Sequence, residues 1–168
     1  MRRLADIAIP LAFLALLAGC GLHPLYGGGG AGPVAQALAG VEIAPIEGQR
    51  GWLLRNALND RLHRQGAENP RYRLEIELDD QITGFGVRRD NAITRERRAL
   101  RARYRLVDGA TGSVLLDQSA AADAGIDVTG SEYATAAAEQ TALERLTENL
   151  ADQIIARIAT YAGRSAAK

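Results

Sequence analysis

Apolar residues recur along this chain in two rhythms, one of two residues and one of three to four, and the switches between them lay out its elements. Val41-Glu42-Ile43-Ala44-Pro45-Ile46 alternates and predicts a short strand, which Pro45 places at an edge or ends. From Gln49 to Gln65 the period lengthens. Leu54, Leu58 and Leu62 fall four apart with Ala57 beside them, the apolar stripe of a helix that Gly66 and Pro70 close. Tyr72, Leu74, Ile76, Leu78 and Ile82 then alternate with Arg73, Glu75, Glu77, Asp79 and Gln81, predicting a strand with one buried and one wet face. Beyond a polar turn near Arg88-Arg89-Asp90-Asn91, Leu100, Ala102, Tyr104 and Leu106 face one way and Arg97, Arg101, Arg103 and Arg105 the other. Asp108-Gly109-Ala110-Thr111-Gly112 reads as a hairpin turn, and Val114, Leu116, Ala120, Ala122 and Ala124 as a third long strand. Ser131 is a suitable N-cap for a last helix, whose stripe runs Leu143, Leu146, Leu150, Ile154, Ile158, Tyr161. Gly163 should end that helix and leave residues 163–168 as a frayed, disordered tail.

The order strand, helix, three-strand meander, helix predicts an α+β domain over residues 41–162. Its economical packing is a four-stranded, largely antiparallel sheet with two helices on one face, the other face remaining polar.

The segment before this domain has a different character. Met1-Arg2-Arg3 supplies a positive start, and Ile7 to Ala18 is an uncharged run too short to span a bilayer, which takes about 20 residues. Leu17-Ala18-Gly19-Cys20 then resembles the lipobox of bacterial lipoproteins, with small residues giving the peptidase access to the backbone. Residues 1–19 are thus expected to be a signal peptide. Cys20 would carry a thioether-linked diacylglycerol and an N-acyl chain (palmitate), enough acyl chains for stable membrane anchoring. Residues 20–40, with Gly27-Gly28-Gly29-Gly30 at their centre, read as lipid anchor and flexible tether. By resemblance to other lipoproteins, Gly21 after the cysteine favours the outer membrane, with the domain on its periplasmic face.

Composition narrows the chemistry further. Formal net charge is zero, so nothing in the overall balance suggests nucleic acid as a partner. One cysteine allows no internal disulfide, and once lipidated it leaves no Cys/His metal cluster around His23 and His63. No Gly-x-Ser-x-Gly or His-Glu-x-x-His pattern occurs, so no catalytic residue, metal or cofactor is assigned and an enzyme is not expected. The arginines are more informative. Arg95, Arg97, Arg101, Arg103 and Arg105 share one parity, so a strand would present a row of guanidinium groups about 6–7 Å apart. Such forks suit the phosphates of a glycolipid. A hairpin could equally set Glu75, Glu77 and Asp79 opposite them as cross-strand pairs.

Several segments together resemble one family. These are Cys20-Gly21-Leu22-His23-Pro24-Leu25-Tyr26, Leu54-Arg55-Asn56-Ala57-Leu58, Thr94-Arg95 leading to Tyr104-Arg105-Leu106, and Ser131-Glu132-Tyr133-Ala134 followed by Ala138-Glu139. In their order and spacing they are similar to LptE, the lipopolysaccharide-assembly lipoproteins, in their alphaproteobacterial form. The resemblance implies a sheet with two helices, placed at the inner leaflet of the outer membrane. It also implies a role as plug and folding partner of the β-barrel LptD, with lipopolysaccharide bound during delivery. A pilotin or accessory subunit of another envelope assembly, such as a secretin, would share the lipobox and the small domain.

Overall fold

The computed structural model describes residues 32–62, 70–87 and 93–166. Cys20 and the lipobox, the glycine run, His23, His63 and the turn near Arg88 lie outside them. The elements run α1 (Pro33–Ala39), β1 (Val41–Ile43), α2 (Gly48–Leu62), β2 (Tyr72–Val87), β3 (Ile93–Asp108), β4 (Val114–Asp127) and α3 (Glu132–Ala166).

The four strands lie in sequence order, β1-β2-β3-β4. β2, β3 and β4 form the expected antiparallel meander, while β1 pairs with β2 in parallel through Val41 to Ile43 only. A parallel pair needs a crossover, and α2 supplies it. Pro45 falls just past the end of β1, where a missing N–H costs no ladder bond.

The sheet face on the helix side carries the alternating apolar set. Leu74, Leu100, Ala102 and Tyr104 are fully buried, with Leu106 and Ala120 nearly so, against Leu54 and Leu58 of α2 and Leu150, Ile154 and Ile158 of α3. Each buried leucine or isoleucine of this kind contributes about 1.5–3 kcal/mol. Gln49 Nε2 donates to Gln140 Oε1 at 3.2 Å and Arg61 Nε to Asp152 Oδ1 at 2.6 Å. The two ties are equally spaced on each helix, so α2 and α3 run parallel and in step. Gly51 of α2 leaves room for the chain that enters the helix: a Cβ there would lie 2.6 Å from the Ile46 carbonyl oxygen.

Two expectations change. The tether does not extend to residue 40, because Pro33 to Ala39 form α1, with proline in the first turn where its missing N–H is harmless. α1 makes a third helix, packing Val34 and Leu38 into the core against α3. The last helix also does not stop at Gly163 but runs to Ala166. A Cβ on Gly163 would lie 3.7 Å from the Val34 side chain, so α1 gives these last turns a surface to dock on. Ser131 caps α3 as expected, its Oγ accepting from the Ala134 N–H at 3.3 Å. The 108–112 hairpin is confirmed by the Gly112 N–H donating to Asp108 O, with Gly112 at φ 72°.

Beyond Asp80 the ribbon of β2 and β3 outruns α2, and Gln81 to Gly86 are exposed.

Candidate functional site: the charged face of the sheet

The face turned away from the helices is built by parity. Register sets Glu75 beside Arg105, Glu77 beside Arg103 and Asp79 beside Arg101 on one flank of β3. On the other flank Asp117 lies beside Arg105, Ser119 beside Arg103, Ala121 beside Arg101 and Asp127 beside Arg95. The arginine row therefore exists, with carboxylates on both flanks.

Arg105 Nη2 reaches Glu75 Oε2 at 3.2 Å, the one pairing with β2 of the kind foreseen among the described residues. Arg73 shares Glu75 at 3.1 Å. The remaining pairs run to β4 instead. Arg103 forks onto Asp117, Nε to Oδ1 at 3.2 Å and Nη2 to Oδ2 at 2.9 Å. Arg97 reaches Asp123 at 3.0 Å and Arg95 reaches Asp127 at 3.2 Å. The hydrogen bonds from Arg103 hold the Asp117 carboxyl below its usual range. Arg97 and Arg103 are held further protonated by Asp123 and Asp117.

Arg101 stands apart. Among the described residues it forms no ion pair: its β4 neighbour is Ala121, and Asp79 beside it on β2 instead accepts from Gln81 Nε2 at 3.3 Å. It lies in a shallow trough of about 540 Å³ bounded by Glu77 and Asp79 on β2 and by Ser119 and Ala121 on β4. Small side chains on one bank leave its fork open to a ligand.

A second constellation was missed by the sequence reading. Arg98 lies on the helix-facing side, where Nε donates to Asp80 Oδ1 at 3.0 Å and Nη2 to Asp80 Oδ2 at 2.6 Å. Its Nη1 donates to the Glu139 carbonyl of α3 at 2.9 Å, and Arg50 of α2 adds a contact to Asp80 at 3.2 Å. Only 11% of the Arg98 side chain and 5% of that of Asp80 are exposed. The Arg98 hydrogen bonds hold the Asp80 carboxyl well below the usual range, more than offsetting burial. One ion pair thus ties two strands to both long helices. The signal for it was present: positions 80 and 98 both carry charges of opposite sign at inward parity.

A pocket of about 480 Å³ lies elsewhere, between α1, the end of α3 and the β3–β4 turn, with Val41, Leu106 and Ile158 among its walls. Asp108 there is committed to the turn, its carboxylate lowered by the N–H groups of Thr111 and Ala110. Among the described residues no acidic, histidine or cysteine group of three or more is placed to hold a metal. No helix among them is long and apolar enough to cross a membrane.

This geometry defines a class: a small α+β domain with one face closed by helices and one flat, charge-balanced face. Solved structures of lipoproteins share its fold. A lipoprotein from Caulobacter crescentus is 30% identical, covers 80% of this chain and 98% of its own, and superposes with a TM-score of 0.66. Lipoprotein B from Nitrosomonas europaea (15% identity, 73% and 83% coverage, TM-score 0.58) shares the fold. So does rare lipoprotein B from Shewanella oneidensis (8%, 71% and 92%, 0.54). No curated protein matches the chain in sequence. The model of the lipopolysaccharide-assembly family matches residues 38–158, and the chain belongs to that family, LptE. It is a non-enzymatic family of lipoproteins of the Gram-negative envelope.

Proposed function

We propose that this chain is the plug and folding partner of an LptD-type outer-membrane β-barrel and assists the insertion of lipopolysaccharide. In this reading it is held at the periplasmic face of the outer membrane by the lipid on Cys20. The observation that carries the reading is the family match over residues 38–158. The charged face supports it physically. A barrel lumen is polar, and a face on which Arg95, Arg97, Arg103 and Arg105 are answered by carboxylates can meet such a wall with little unpaired charge buried, Arg101 being left for a phosphate. Depletion of the chain from its native cell tests the assembly role. The barrel should then accumulate in a form whose gel mobility no longer changes on heating, and unaltered heat-modifiability would refute the role.

Within the arginine row, Arg101 is the residue we assign to lipopolysaccharide phosphate, because Arg95, Arg97, Arg103 and Arg105 already hold carboxylates. Arg101→Glu should weaken binding of phosphorylated lipid A by about tenfold or more, the scale of one lost charge-assisted contact. Binding of dephosphorylated lipid A should not change. Equal affinity of wild type and variant for the phosphorylated form would remove the assignment.

A further inference from the structure

In an antiparallel ladder, successive residues turn their N–H and C=O alternately toward the neighbouring strand and away from it. The Val128 N–H donates to Thr94 O at 2.9 Å, and the β3–β4 register continues from that pair through Arg95 and Asp127. Even-numbered residues of β4 therefore bond β3. Asp117, Ser119, Ala121, Asp123, Gly125 and Asp127 point their backbone groups outward from the sheet, and all six are exposed. One helix side chain meets this edge: Gln153 Nε2 donates to the Ala121 carbonyl at 3.2 Å, as the parity requires. Among the described residues no other group bonds these outward amides and carbonyls.

Native edge strands are blunted by charged side chains, lysine above all, by proline, a bulge, brevity or a covering helix. From Val114 to Asp127 there is no lysine, arginine or proline, the strand is 14 residues long, and the irregularity in its pairing lies at its turn end. Its defences are the three aspartates, which select against an acidic partner, and Gln153, which an added strand would displace. The charged face shows what the edge would accept. Across the sheet, side chains on that face are acidic on β2 (Glu75, Glu77, Asp79), basic on β3 and acidic on β4 (Asp117, Asp123, Asp127). The β4 carboxylates are bound on their β3 side only and remain 39%, 82% and 52% exposed at Asp117, Asp127 and Asp123, with lone pairs free. A second copy fits poorly, because pairing β4 with β4, or with the open part of β2, sets one acidic row against another.

We propose that the β4 edge is a strand-addition site for an extended segment of a partner protein that carries arginine or lysine at alternate positions. The intervening side chains of that segment would lie beside Ala120, Ala122 and Ala124 and so be apolar and compact. This inference rests on strand geometry and charge alone and is independent of the plug reading.

The test uses the intact chain in detergent and a nine-residue peptide with arginine at alternate positions and valine between. Amide exchange at residues 117, 119, 121, 123 and 125 should slow by about tenfold or more on binding, while the even positions, already bonded to β3, stay unchanged. The same peptide with glutamate for arginine, or N-methylated at alternate amides on its pairing side, should give no protection. Absence of protection at the odd positions would overturn the proposal. So would equal protection by all three peptides.

Discussion

Replacing Arg98 with methionine isolates the buried ion pair, since methionine keeps much of the volume and removes all the hydrogen bonds. Asp80, 5% exposed, would lose both bonds at 3.0 and 2.6 Å and keep only Arg50 at 3.2 Å. Arg50 is 47% exposed, so its attraction is weakened by solvent. Removing one partner of a buried pair costs about 3–5 kcal/mol, and the surviving Arg50 contact places this case near the lower end, about 3 kcal/mol. For a domain of this length that is roughly 6–12 °C in Tm. Urea unfolding at pH 7 should show a lower midpoint at unchanged slope.

The pH dependence gives the sign. In the wild type the Asp80 pKa is lowered, so its contribution is complete above the unfolded carboxylate value of about 3.9 and is lost as pH falls through the folded value. In Arg98→Met only Arg50 still opposes burial, so the Asp80 pKa stands above its wild-type value. The buried charge then destabilises at pH 7 and is relieved by protonation as pH falls. The stability gap between the two proteins should therefore narrow as pH is lowered from 7 through the carboxylate range. The double variant Asp80→Leu/Arg98→Met should return to within about 1 kcal/mol of wild type, because no charge is left stranded. A gap below about 0.5 kcal/mol at pH 7, or one constant across this range, would refute the reasoning.

Two substitutions should behave contrary to a sequence-only expectation. Gly51→Ala in a helix interior ordinarily stabilises by about 1 kcal/mol, but here the new Cβ would meet the Ile46 carbonyl at 2.6 Å. It should cost about 1–3 kcal/mol by thermal melting, and a rise in Tm would contradict the packing described. Tyr104 is fully buried, and among the described residues its hydroxyl has no partner at hydrogen-bond geometry, with Arg157 only nearby, while burial raises its pKa. Tyr104→Phe should be neutral or stabilise by up to about 1 kcal/mol in urea unfolding, and a loss above that would show that the hydroxyl is bonded.

Most of the fold was legible because its core obeys two simple periods. Leu100, Ala102, Tyr104 and Leu106 are buried as their alternation required, and Leu143 to Ile158 form the inner stripe of α3 as their spacing required. α1 escaped notice because Pro33 to Ala39 span two turns, too few to show a period, beside a glycine-rich stretch that reads as tether. The site was half legible. Parity established the arginine row, but which carboxylates it meets depends on register and on side-chain reach. Arg103 could meet Glu77 on one flank and takes the bidentate Asp117 on the other. Arg98 was missed because an inward-facing charge reads as a break in the pattern until its partner at Asp80 is placed two strand positions from it.

The central claim, that this LptE-family chain serves a β-barrel, is tested most directly by recovering the lipidated protein from its native envelope in mild detergent and weighing what comes with it. One large outer-membrane β-barrel in equal amount is the predicted result. Recovery of a secretin instead, or of the chain alone, would contradict the plug reading.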